Sequence, residues 1–181
     1  SEHFYDSLNV GCLIKPPTDH LIGLARTFNL QFPTSAIVLQ QYTHWVYVQQ
    51  ACSLLGQDIG DAPGVAGWPA YYQSPQYYEL WINSDSLPKR NQFCDAMVYT
   101  GFNRQSFKLI LDPIALVDLF TSPEDPNLLV SQAISLLYAI DLSAVSKAQI
   151  KTAFLLSGQA SDYYWSDAWN QFKAAPTDTV K

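Results

Sequence analysis

The chain has 181 residues, 48% hydrophobic and only 14% charged, enough apolar material to bury a sizeable core in one domain. Sixteen acidic against ten basic residues give a formal net charge of −6, and the basic residues are scattered. That excludes a nucleic-acid surface or an anionic-membrane patch, both of which need clustered Lys and Arg.

No apolar run approaches about 18 residues, so no transmembrane segment is expected. Ser1 is followed at once by charged and aromatic residues, which is not a signal-peptide pattern. Glu2 to Val10, with His3, Phe4 and Tyr5, reads as a short amphipathic start. Lys15, Pro16 and Pro17 introduce a helix, because proline suits a first turn whose amide has no partner. Its apolar face is Leu21, Leu24, Ala25 and Phe28, with His20 and Arg26 off the stripe.

After Pro33, Ser35 is placed to cap the longest periodic segment, about Ala36 to Leu55. Val38, Tyr42, Trp45, Gln49 and Cys52 form its expected seam, widened by Leu39, Val46 and Leu55. Gln40, Gln41, His44, Gln50 and Ser53 fall on the far side, and Gly56 closes the helix.

Gly56, Gly60, Pro63, Gly64, Gly67 and Pro69 break both the helical and the strand period, so Gly56 to Pro75 is an irregular loop. The aromatic density of Trp68, Tyr71, Tyr72, Tyr77, Tyr78 and Trp81 predicts that it is ordered, since disordered segments are poor in aromatics. Two roles are open. In the first, Val65 and Trp68 anchor the loop in a groove between helices. In the second, Tyr71, Tyr72, Tyr77, Tyr78 and Trp81 form a stacking platform for a sugar or another flat ligand. Adjacent tyrosines on regular structure cannot both face inward, so some phenols reach solvent.

Beyond the loop, Ser84 or Asp85 caps a helix over Ser86 to Tyr99, with Leu87, Asn91, Cys94 and Val98 as its stripe and Gly101 as its stop. Phe107 to Asp112 alternates weakly; without a second strand it reads as an extended connector. Asp112-Pro113 and Asp125-Pro126 each place a capping carboxylate before a proline, predicting helices over Pro113 to Phe120 and Pro126 to Ile140. Ser143 opens a helix to Leu156, and Ser161 opens an aromatic one to Ala174. The expected fold is mainly α, an irregular helical bundle with one long Gly/Pro/aromatic-rich ordered loop. Residues 1–181 are expected to form a single domain, with room for a subdomain over 122–181.

Chemistry-bearing motifs are scarce. His3, His20 and His44 sit in no zinc spacing, and there is no nucleophile elbow or phosphate loop, so no metal or cofactor is expected. Asp58 and Asp61 lack the glycine and distal glutamate of a calcium loop. Glu79 and Asp85 could serve as a carboxylate pair, but acids beside a helix start are usually caps. Arg90 is expected to pair with Asp85, Asp58 or Asp61 and pin the loop. Cys12, Cys52 and Cys94 are an odd number without a CxxC, and the latter two read as small buried hydrophobes.

Leu55, Gly56, Gln57, Pro63, Val65, Gly67, Trp68 and Pro69, followed by Trp81, Ile82, Asn83, Leu87 and Arg90, make a specific pattern. It resembles the signature of the bacterial family called domain of unknown function 1800: a Leu-Gly-Gln helix end, a Pro-x-Val-x-Gly-Trp-Pro loop, a Trp-Ile-Asn and a Leu-x-x-Arg helix. The opening SEHFYD and the segment IKPPTDHLIGLARTFN are similar to further motifs of that family. The resemblance is close over the first half and looser over the second. It departs at AYYQSPQYYEL, between Pro69 and Trp81, where the family pattern is shorter and richer in glycine.

Family members run to several hundred residues. The resemblance therefore implies the C-terminal part of a longer, exported protein, periplasmic or at the cell surface, with the rest of the parent polypeptide as one partner. It implies no reaction. The leading expectation is a non-catalytic structural or interaction module that binds a protein partner or a glycan. The alternative is half of a hydrolase-type active site completed by a missing N-terminal region, with Trp68, Asp61, Asp58 and His3 contributing.

Overall fold

The computed structural model describes residues 13–138 and 141–176; the expectations for His3 and Cys12 lie outside these. The chain is mainly α, with seven α-helices and one small hairpin among the described residues. It divides into two compact units, residues 13–113 and a second that begins at Ile114, ahead of the boundary expected at 122.

The first unit opens with α1, Pro17–Thr27, whose proline sits in the first turn as its φ allows. Helix α2, Val38–Leu54, follows, and Gly56 ends it in the left-handed region, its amide donating to Ser53 O and that of Gln57 to Cys52 O. Ser35 does not cap α2: Ile37 holds that position with no side-chain cap bond. The following loop is ordered by two short 3-10 turns, Pro69–Tyr71 and Tyr77–Trp81. Helix α3 spans Ser86–Tyr99, as its sequence predicts, but Asn83 caps it: its Oδ1 accepts from the amides of Asp85 and Ser86 (2.9 and 2.8 Å).

The connector expected over Phe107 to Asp112 is a strand with a partner. β1, Phe102–Arg104, pairs antiparallel with β2, Phe107–Leu109, placing Phe102 opposite Leu109. Gln105 and Ser106 form the two-residue turn, both at positive φ, in place of the Asn-Gly pair that announces such a hairpin. Gly101, at φ +66°, lies where a Cβ would come within 2.5 Å of Leu109 O, so only glycine fits.

Two clusters make the core of this unit. Leu21, Ala51, Cys52 and Leu55 form one, with Val48 and Phe93 against them. Met97, Leu109 and Leu111 form the other, enclosed by Leu24, Phe28, Tyr47 and Phe102. Tyr47 stacks on Phe102 at 3.8 Å and 7°, fixing α2 over β1.

Two helices bury a face that differs in part from the one expected, although Cys52 and Leu55 of the expected α2 seam are buried. In α3 the buried stripe is Ser86, Arg90 and Met97, while Leu87 is exposed. In α2 the buried line is Gln40, His44, Ala51 and Cys52, and Val38, Leu39, Tyr42, Trp45 and Val46 face solvent. The reason lies in the hairpin. Gln40 Nε2 donates to Gln105 O (2.8 Å), and the fully buried His44 places Nε2 3.1 Å from Phe107 O and Nδ1 2.6 Å from Gln40 O. Phe102 and Phe107 meet the His44 ring edge-on. The bonds that Gln40 and His44 make to the hairpin turn their side of α2 inward, although it is the more polar one.

The second unit contains α4, Pro113–Val117, whose first residue closes the preceding unit; α5, Pro126–Leu137; α6, Ala144–Ile150, continued by a π-helical turn over Lys151–Leu155; and α7, Tyr163–Ala174. Asp125 caps α5 as expected, its carboxylate accepting from Asn127 N at 2.8 Å. Ser143 likewise caps α6, its Oγ accepting from Ser146 N at 3.1 Å. Leu129, Val130, Ile134, Leu156, Trp169 and Phe172 are its buried apolar residues. Trp165 Nε1 donates to Pro123 O (2.8 Å), and Lys151 pairs with Asp162 at 2.7 Å, which holds the Asp162 carboxyl below its ordinary pKa.

Candidate functional site

The Gly/Trp loop does not anchor through Val65, which is fully exposed. Trp68 is half-buried and meets Tyr71 edge-on at 6.4 Å; Tyr71 in turn meets Trp81 at 5.5 Å. Trp81 is 5% exposed, so its ring serves as floor and offers no face to a ligand. Of the platform residues, Tyr71, Tyr72 and Tyr77 are exposed and Tyr78 is half-buried. Tyr77 holds φ +43°, a strained conformation for a bulky side chain.

The loop is held instead by Gln57. Its Oε1 accepts from both the amide and the hydroxyl of Thr18 (2.9 and 2.8 Å), and its Nε2 donates to the Tyr71 hydroxyl (3.2 Å). One buried amide thus ties the start of α1, the end of α2 and the aromatic turn. Gln57 belongs to the Leu-Gly-Gln motif, so the signal was in the sequence, read as a helix end. Ser86 does similar work, donating to Trp81 O and accepting from Asn83 N, both at 3.0 Å.

Arg90 does not pin the loop to an acid. Asp58 accepts from Gln49, Asp85 pairs with Lys89 at 2.7 Å, and Asp61 is exposed. The Arg90 side chain, in a residue only 6% exposed, donates from Nη2 to Lys15 O (2.9 Å), while its Nε is buried without an acceptor. It secures the segment before α1. Among the described residues no carboxylate forms an ion pair with it.

His20 and Cys94 lie beside this arginine, His20 Nε2 3.7 Å from Cys94 Sγ. Burial, then the positive charges of Arg90 and Lys15, lower the His20 pKa to about 4. Burial pushes the Cys94 thiol up, and nearby Asp95 adds to this against the pull of Arg90. Both shifts favour the neutral forms, so the pair is a thiol beside a neutral imidazole, not a thiolate nucleophile. Cys52 is buried and free, and Cys94 is free and half-buried. No group of three or more His, Cys, Asp or Glu side chains is placed to hold a metal among the described residues.

The outer face of α2 carries several exposed apolar side chains. Tyr42 and Trp45 are 65% and 60% exposed, with Val38, Leu39 and Val46 beside them. A groove of about 750 Å³ runs along one side of this ridge, lined by Ile22, Ala25, Leu30, Phe32, Trp45 and Val46, with Arg26 in its wall. A second hollow of about 470 Å³, on the other side, is lined by Tyr42, Val46, Phe102 and Arg104. Single solvent-facing apolar residues are ordinary on a surface helix, whereas several side by side are not.

No helix among the described residues is long and apolar enough to cross a membrane. No curated protein and no solved structure matches the chain. A family model does match, over residues 1–177, and by that extent the chain belongs to the family described as protein of unknown function, DUF1800.

Proposed function

We propose that this chain is a non-catalytic interaction module of an exported bacterial protein, and that it works through the outer face of α2. The observation that carries the reading is the contiguous exposure of Val38, Leu39, Tyr42, Trp45 and Val46 on a helix whose inner side is already committed to the hairpin. A helix that makes its inner contacts through Gln40 and His44 and keeps an apolar outer side is suited to lie between two bodies. The partner is either another part of the parent polypeptide or a separate protein. The bacterial, exported setting comes from the family resemblance in the motifs around Gln57 and Trp81.

A photo-crosslinking residue placed at 42 or at 45 in the protein as produced by its host tests this. Adducts from both positions, mapped by mass spectrometry to one defined segment, with none from a control at the exposed Tyr163, are expected. Silence at both positions would remove the proposal.

A second reading, a glycan-stacking platform, is favoured by the exposed Tyr71, Tyr72 and Tyr77 and by the strained backbone of Tyr77. The half-site reading gains nothing from the geometry. Asp58 is engaged by Gln49, Asp61 stands exposed, and the described histidines are spent on carbonyls or set beside a thiol.

A further inference from the structure

The positive charge of Arg90 meets no negative one among the described residues. Arg90 is 6% exposed, its Nη2 donates to a neutral acceptor, Lys15 O (2.9 Å), and its Nε is buried without a partner. Nη1 makes no hydrogen bond and is not closed off from water. A guanidinium does not shed its proton on burial, so the charge stays and its desolvation is left without compensation.

The groups around it do not supply a counter-charge. Cys94 lies one turn further along α3, its Sγ 3.7 Å from Nε2 of His20 on α1. Burial pushes that thiol up, so it stays neutral. Lys15 Nζ stands over α1, 4.0 Å from where a Cβ on Gly23 would be; Lys15 is exposed and enters none of the ion pairs among the described residues. Asp19, beside His20 in the chain, and Asp95, beside Cys94, are both exposed, and neither pairs with Arg90 or Lys15. Asp85 is held by Lys89 at 2.7 Å. The charges that act on the His20 ring are those of Arg90 and Lys15, both positive, and they lower its pKa in the same direction as burial does.

We propose that Arg90 and Lys15 form a receptor for one oxyanion, a carboxylate or a phosphate group, with His20 in its wall. The anion takes its bonds from the open Nη1 of Arg90 and from the Lys15 ammonium, which a flexible exposed stem can bring to it. Bound there, it gives the buried cation the negative partner that the surrounding residues do not. It also reverses the field at His20, which then holds a proton more readily.

The test follows the His20 ring by NMR in the full 181-residue chain, its signal assigned with His20→Gln. Inorganic phosphate or formate is added at constant ionic strength, with chloride as the balancing salt, so that screening alone changes nothing. A saturable rise of the His20 pKa by about one unit is expected with at least one of the two anions. Formate alone would identify a carboxylate site, phosphate alone a tetrahedral one. Lys15→Ala, a change at an exposed side chain, is expected to raise the half-saturating concentration about threefold to fivefold and to keep the thermal midpoint. Arg90→Gln is expected to abolish the response; if that variant does not fold, Lys15→Ala decides. No saturable response to either anion, or a response unchanged in Lys15→Ala or in folded Arg90→Gln, would overturn the receptor.

Discussion

Single residues carry more of this structure than their types announce. Gln57 is the clearest case, because three bonds from one side chain join three segments. Replacing it by alanine leaves the Thr18 amide and hydroxyl without their acceptor in a partly buried place. Gln57→Ala is therefore expected to cost about 1–3 kcal/mol in urea unfolding, since an unmet buried donor loses its water without compensation. His20 gives a second expectation. Its folded pKa of about 4 lies below its unfolded value of 6.5, so the unfolded chain binds the extra proton first. Stability is then full above about pH 6.5 and falls as pH drops toward about 4. The lowered carboxyls of Asp141 and Asp162 act only at lower pH, below their ordinary 3.8. Urea midpoints of the parent and of His20→Gln, measured from pH 7 to pH 4.5, should converge as the pH falls. Parallel curves would show that the ring is not the cause.

At the scale of elements, what is local was readable and what is reciprocal was not. Pro17, the Asp125-Pro126 pair and Ser143 each dictate a helix start through their own backbone and side-chain chemistry, and the helices begin there. The aromatic turns of the loop were legible as ordered because their area had to be buried somewhere, and Trp81 is where much of it went. The hairpin was hidden because Gln105 and Ser106 carry positive φ without the residues that advertise it. Arg90 was read through its charge, and that suggested a carboxylate. The structure uses it as a donor to a carbonyl 75 positions away in sequence, a contact no periodicity encodes. The facing of α2 follows bonds from Gln40 and His44 to the distant hairpin, and an apolar pattern within the helix does not encode these.

The molecule as a whole consists of two units, each with its own buried residues. Leu156, 2% exposed, belongs to the second unit, and Leu111, whose amide donates to Met97 O at 2.8 Å, belongs to the first. Leu156→Ala should cost the second unit about 2–5 kcal/mol through lost burial and the remaining cavity. Hydrogen exchange at Leu111 should stay at its original rate while exchange in α5 and α7 accelerates. A matched acceleration in both units would mean that they unfold as one. The family signature, read against these units, marks joints in the first of them: Gln57, Trp81, Asn83 and Arg90 all hold segments together.

The bonds from Gln40 and His44 have a consequence that goes beyond their energy. A helix whose apolar and polar residues are not cleanly parted between two sides can settle at several rotations of nearly equal depth, and a chain in that condition collapses without choosing. Two polar side chains that find acceptors at a single rotation act as a key, discarding the alternatives by leaving them unmet. Hydrophilic residues thus fix the rotation of this helix, and that rotation leaves Val38, Leu39, Tyr42, Trp45 and Val46 facing solvent.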